Sequence, residues 1–208
     1  MKIGTIALSA TLAFTMASCG GNAANSNRTA APEVKRGVQP VADKEIAVIE
    51  MENGAAFGTI KIELYPNIAP KMVEQFKALA REGVYDGTTF HRINPMVVQG
   101  GDPLSKDDNP ANDGTGKSNK PNVPAEFSDV LYETGIVGAA RSTDPNSANS
   151  QFFITLRRVP DFDTRYTIFG KVIEGMNNVR TISGVQPKDG ERPVEPVRIK
   201  SIRIETRQ

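Results

Sequence analysis

The chain of 208 residues contains one cysteine and one histidine. A lone cysteine excludes an intramolecular disulfide. One histidine and one cysteine are too few ligands for a zinc site. The acidic run Asp107, Asp108, Asn109, Asp113 lacks the offsets and terminal glutamate of a calcium loop. No metal and no cofactor is therefore expected. Excess charge of one sign is also missing: 25 Lys+Arg against 24 Asp+Glu leave a formal net charge of +1. With no basic stripe interleaved with aromatics, nucleic acid is excluded as an expected partner. A Ser-His-acid relay would have to use His91, and no G-x-S-x-G elbow is present. "GTGKSNK" lacks the spacing of a phosphate loop. Asp161 and Asp163, read on a strand, would face opposite sides and make a poor acid–base pair.

Long apolar runs are scarce as well. The one exception opens the chain, "MKIGTIALSATLAFTMASCG". Its apolar stretch spans about 14 residues, short of the roughly 20 that a transmembrane helix needs, and Lys2 precedes it as in a secretory signal. A buried N-terminal helix, the other reading, would need a polar face that this run lacks. "MASC" resembles a bacterial lipobox, with Met16 in place of the usual Leu. That resemblance implies a signal peptide over 1–18, acylation at Cys19 and attachment to a lipid membrane. Several acyl chains on one residue anchor stably where a single chain does not. Residues 19–44 are small, polar and proline-containing, and are expected to form a flexible tether. The expected location is the cell envelope, facing the periplasm, because "GGNAANSN" has no acidic cluster.

What is present is a globular part over 45–208. "GTIKIELYP" alternates apolar Ile60, Ile62 and Leu64 with polar Lys61 and Glu63, the pattern of a half-buried strand, and "EIAVIEME" is its expected antiparallel partner. "APKMVEQFKALAREG" places Met72, Val73, Phe76, Leu79 and Ala80 at helical spacing, with Pro70 in the first turn and Gly83 at the end. Short strand-like runs follow, then a second helix after Gly175. In the last strand, apolar parity switches between Ile199 and Ile202, which predicts a β-bulge near Lys200–Ser201. The long loop-like stretch from Asp102 to Asp129 is of a length that usually carries function. Many short strands with two helices predict a mainly β barrel or sandwich capped by helices.

Three segments, "FHRINPMVVQGGDP", "GIVGAARSTDPNSANSQFFITL" and "PDFDTRYTIFGKVIEG", resemble in order and spacing the cyclophilin-type peptidyl-prolyl cis-trans isomerases. The likeness covers about Glu45 to Arg207. It implies a closed eight-stranded antiparallel β-barrel capped by two α-helices and proline-containing polypeptides as substrates; a monomer is expected. It also explains the missing nucleophile, since rotating an amide breaks no bond to a substrate atom. The resemblance implies that Arg92 is the donor to the prolyl nitrogen and that Gln99 orients it. It places Phe153 at the floor of a proline pocket, with Gln151 nearby and Met96, Val97, Phe162 and Tyr166 around it. Ala140 and Arg141 fall where substrate backbone pairs, and Arg141 replaces a frequent Asn. His91 falls in a supporting position, expected to be a barrel-lining imidazole with satisfied hydrogen bonds. The segment between Arg92 and Gln99 is one residue shorter than in most relatives, and "MVV" lacks an aromatic, so a shallower pocket is expected. The implied function is an isomerase that assists folding of exported proteins. The alternative is a proline-binding holdase with little catalysis.

Overall fold

The computed structural model describes residue 1 and residues 32–107, 109–185 and 190–207. Cys19 and nearly all of the expected signal peptide lie outside the described residues. Residues from Pro32 onward group into one compact unit.

The chain enters through β1 (Val34–Lys35), β2 (Glu45–Met51), the one-turn helix α1 (Gly54–Phe57) and β3 (Thr59–Leu64). β2 and β3 pair antiparallel, with Ala47 opposite Ile62 and Ile49 opposite Ile60. The alternation read from the sequence is realised: Ile60, Ile62 and Leu64 are fully buried. α2 (Pro70–Arg81) follows, with Pro70 in its first turn and Gly83 just past its C-cap residue Glu82. Its backbone N–H groups at Lys71 and Met72 donate to the carboxylate of Glu126, a distant residue satisfying orphan donors at the helix start. Its apolar stripe turns into the core, where the Phe76 ring meets Phe152 edge-on at 5.6 Å.

Then come β4 (Arg92–Ile93), β5 (Val97–Gly100), β6 (Phe127–Ser128), β7 (Ile136–Ala139), β8 (Phe152–Thr155), β9 (Ile168–Glu174), α3 (Met176–Ser183) and β10 (Ile199–Thr206). Among the described residues, eight strands form one antiparallel sheet in the order β10-β2-β3-β9-β7-β8-β5-β4. α2 packs against β9 and β10, and α3 against β3 and β5. The predicted bulge is present: Ile199 pairs with Met51 and Ser201 with Glu50, leaving Lys200 extra. This lets Ile199 and Ile202 both face the core.

The structure corrects two expectations. The sheet is curled but open, not a closed barrel. Its edges β4 and β10 are not laddered; the segment before β4 meets the start of β10 around an isolated bridge between Thr89 and Arg198, with Gly87 N–H donating to Ile199 O at 2.8 Å, Ile199 N–H to Thr88 O at 2.7 Å and Phe90 N–H to Val197 O at 2.9 Å. β4 is too short to extend that pairing, because Ile93 N–H donates instead to Glu191 O at 2.6 Å. The second correction is the tether boundary, since residues 32–44 dock on the domain. β1 pairs parallel with β6, and Lys35 Nζ donates to Ile68 O at 2.7 Å. Asn67 ties down Val41 N–H and Gln39 O, and Lys77 on α2 pairs with Asp43. These are backbone and charge contacts, which hydrophobic periodicity cannot register.

Two apolar clusters result. The larger, including Phe76, Phe90, Phe152 and Ile154, joins strand side chains to the apolar faces of α2 and α3. The smaller gathers Tyr65, Val97, Tyr132 and Phe153, with Met96, Ala140, Phe162 and Tyr166 packed against it. Strand alternation separates them: on β8, Phe152 and Ile154 join the large cluster, and Phe153 joins the small one.

Candidate active site

Register aligns the site. Arg92 on β4 opposes Gln99 on β5, Gln99 opposes Phe153 on β8, and Phe153 opposes Gly138 on β7. Directly opposed residues share a face with Cβ atoms about 4.5–5.5 Å apart. Three short strands therefore place a guanidinium, an amide and a benzyl ring in one row. The row ends at Gly138 because a Cβ there would lie 2.4 Å from Phe153 Cζ and 2.7 Å from Tyr132 Oη.

The polar half of the row is a chain of hydrogen bonds. Arg92 Nη1 donates to Gln99 Oε1 at 3.2 Å, and Gln99 Nε2 donates to Gln151 Oε1 at 3.0 Å. Gln151 Nε2 in turn donates to Gly114 O and Gly116 O at 3.1 and 2.8 Å. The amide orientations are thus fixed in sequence from the loop outward. Arg92 is half-exposed, and its Nε pairs with Glu191.

The apolar half is built from rings. Phe153 packs against Phe162 at 5.4 Å, Tyr166 at 5.7 Å and Tyr132 at 5.8 Å between centroids. Val97 is buried beside them and Met96 half-buried. Phe153 itself is buried, only 3% exposed, beneath these rings. Asn94 Oδ1 accepts from the N–H groups of Met96 and Val97, each at 2.9 Å, and this turn shapes the short wall. Arg141 lays its guanidinium 4.4 Å above the Tyr166 ring, a cation–π contact that holds the tyrosine at the rim. Ala140 N–H is committed to Gln151 O at 3.0 Å. Beside the row lies a more polar recess of about 440 Å³, lined by Gln99, Gly114, Gly116, Ala140, Arg141 and Gln151. The residues expected in the pocket thus come together, spread over β4, β5, β8 and the flanking loops.

Residues 48–204 match the family model "Cyclophilin type peptidyl-prolyl cis-trans isomerase/CLD". The chain belongs to the cyclophilin family. It is 46% identical over 139 residues to a probable peptidyl-prolyl cis-trans isomerase of Brucella suis, covering 64% of this chain and 71% of the relative. It is 37% identical over 161 residues to the peptidyl-prolyl cis-trans isomerase ppi1 of Schizosaccharomyces pombe, covering 74% and 96%. Among solved structures it is similar to a Cryptosporidium parvum cyclophilin determined in the presence of the dipeptide Ala-Pro. That match has a TM-score of 0.69 and 29% identity, and covers 78% of this chain and 99% of the other. The protein is a peptidyl-prolyl cis-trans isomerase of the cyclophilin type.

In this cyclophilin the single histidine departs from expectation. His91 is buried, and among the described residues neither ring nitrogen has a partner at good hydrogen-bond geometry, so the expected satisfied hydrogen bonds are not seen. One edge of the ring lies against Gly114, where a Cβ would stand 3.5 Å from Nε2, and the ring borders a cavity also lined by Asp113 and Arg192. Burial, the dominant influence, pushes its pKa below the ordinary 6.5 even with Asp102 nearby. The unfolded chain therefore takes up a proton at His91 before the folded one does. Stability is full above pH 6.5, falls as pH drops toward the lower folded value, and levels off below it. A series of unfolding midpoints descending from about pH 7.5 should show that decline, and His91→Leu should flatten it. An identical slope in the variant would exclude His91 as the cause.

The sequence reading also missed Asp102. Its side chain is fully buried, accepting from the N–H groups of Leu104 at 2.8 Å, Gly114 at 2.5 Å and Gly116 at 3.0 Å. A Cβ at Gly116 would fall 2.1 Å from Asp102 Oδ1, so the loop can close on the carboxylate only at glycine. The Asp-Pro pair at 102–103, an N-cap signature, was the available signal.

Proposed function

We propose that this cyclophilin accelerates X–Pro rotation by directing Arg92 at the prolyl nitrogen while the proline ring rests in the notch over Phe153. The observation that carries this is the cross-strand row itself. An always-charged fork of donors stands at the rim of an apolar notch, oriented through Gln99. The uncatalysed barrier is about 18–20 kcal/mol because resonance ties the nitrogen lone pair to the carbonyl. Twisting the amide releases that lone pair, so a donor aimed at it binds the transition state more tightly than the ground state. A thousandfold acceleration needs about 4 kcal/mol. One or two charge-assisted hydrogen bonds, each about 1.5–3 kcal/mol, supply it. The Ala-Pro dipeptide used with the Cryptosporidium parvum cyclophilin makes a short proline peptide the natural probe.

The same reading extends to place and clients. The lipobox-like "MASC" and the polar stretch after it support a chain anchored to the envelope through acylated Cys19, facing the periplasm and assisting folding of exported polypeptides. A holdase would need the apolar notch but no oriented cation, and Arg92 with its acceptors favours catalysis. Two measurements test these readings. The full chain should accelerate isomerisation of an Ala-Pro tetrapeptide; suppression of client aggregation with no acceleration would establish the holdase instead. The intact mass of membrane-derived protein should correspond to a chain starting at acylated Cys19, and an uncleaved, unmodified N-terminus would reject the anchor.

A further inference from the structure

Glu191 lies on the segment leading into β10, far along the chain from Arg92, and neither composition nor motif singles it out. Its carboxylate bridges the two halves of the site. Oε2 accepts from Arg92 Nε, and Oε1 accepts from Asn94 Nδ2 at 2.8 Å. Asn94 in turn holds the backbone of Met96 and Val97, the wall of the notch. The carbonyl of Glu191 also accepts from Ile93 N–H at 2.6 Å, which fixes the bridge to the end of β4. Arg92 is therefore held at Nε by Glu191 and at Nη1 by Gln99, while Nη2 has no protein partner among the described residues. A planar group held at two of its nitrogens keeps one plane, and the remaining donors keep one direction.

We propose that Glu191 is a positioning residue for the isomerisation, fastening Arg92 to the Asn94–Val97 wall so that the unpaired guanidinium donors face the prolyl nitrogen. The inference rests on the reading of Arg92 as the donor. The wall is short and carries no aromatic ring to brace the arginine, and Arg92 is half-exposed, so an unbraced side chain would sample several rotamers. The bridge removes that freedom before substrate binds. Burial raises the Glu191 pKa, but the Arg92 guanidinium and the Asn94 amide outweigh it and hold the carboxyl below its ordinary 4.5, so it is ionised at neutral pH.

The test is exchange NMR on an Ala-Pro tetrapeptide, giving the catalysed rate and the peptide Kd separately. It is run on the wild-type chain, Glu191→Ala, Glu191→Gln, Arg92→Ala and the double variant Arg92→Ala/Glu191→Ala. Misplacing a catalytic group can cost up to about a hundredfold in rate, and loss of one of two braces is expected to cost roughly tenfold in kcat with Kd changed by less than about twofold. Glutamine can accept from Arg92 but meets Asn94 Nδ2 with a second donor, so Glu191→Gln should recover only in part, to about threefold below wild type. In the Arg92→Ala background the Glu191 change should have no further effect. A wild-type kcat in Glu191→Ala, or an equal loss in the Arg92→Ala background, overturns the positioning role and leaves the arginine reading intact. A wild-type rate in Arg92→Ala overturns the arginine reading instead. If Glu191→Ala does not fold, Glu191→Gln decides: a loss of about threefold that vanishes without Arg92 supports the role, and no loss refutes it.

Discussion

Arg92→Ala is expected to lower kcat/KM for a proline tetrapeptide by about a hundred- to a thousandfold, while the unfolding midpoint hardly moves. In the proposed mechanism the first figure follows from removing one or two charge-assisted hydrogen bonds made only at the twisted amide, about 3–4 kcal/mol of transition-state stabilisation. The second follows from the surroundings of the side chain. Arg92 and Glu191 are each more than two-fifths exposed, and a pair so open to solvent contributes only ~0–1 kcal/mol to folding. Activity and stability should therefore separate cleanly in this variant. Arg92→Lys is a sharper probe. A lysine keeps the charge but gathers its donors on one nitrogen at the end of a flexible stem, without the planar fork that spans Gln99 and Glu191 and aims the remaining donors. It should recover little activity. Parallel measurement of kcat/KM and thermal midpoint decides the matter, and an alanine variant within threefold of wild type would remove the arginine from the mechanism.

Asp102→Ala should have the opposite profile, a large loss of stability with activity falling as a consequence. The carboxylate satisfies three backbone N–H groups while fully buried. Removing it leaves those donors without a partner in a place water reaches poorly. Each unsatisfied buried group costs about 1–3 kcal/mol, and with partial relaxation the sum is about 3–5 kcal/mol. For a domain of this size that corresponds to a fall of roughly 10 °C in the midpoint. The same loop supplies the Gly114 and Gly116 carbonyls that hold Gln151, so the hydrogen-bond chain to Gln99 should loosen in the surviving folded fraction. Asp102→Asn, which keeps one acceptor oxygen, should fall between the two. Urea unfolding measures the difference, and a change below about 1 kcal/mol would show that the loop is held by other contacts.

The two residues mark different degrees of legibility. Arg92, Gln99, Gln151 and Phe153 stand in motifs whose order and spacing carry a family resemblance, so they could be named before any fold was known. Glu191 and Asp102 could not. Each acts through partners distant in the chain: Glu191 through Arg92, and Asp102 through glycines a dozen or more positions on. His91 lies in the interior as its motif implies, but without the expected hydrogen bonds among the described residues. The tether boundary was misplaced for a related reason. Residues 32–44 offer few apolar side chains to a periodicity reading, and they dock through a parallel strand pair and through Lys35, Asn67 and Lys77.

By itself, the sequence determined everything that depends on local pattern. Alternation specified β2 and β3, helical spacing specified α2, and the parity switch located the bulge in β10. The three motifs specified the family and most residues of the notch. Tertiary structure alone decided whether the sheet closes, because closure depends on what the outer edge of β4 meets, and here it meets Glu191 rather than β10. It also decided what holds the cross-strand row of Arg92, Gln99 and Phe153 in place. Strand register sets which side chains oppose one another, and the partners of a buried or half-buried polar group come from wherever the fold brings a complementary atom within about 3 Å. Neither is written in any one stretch of the chain.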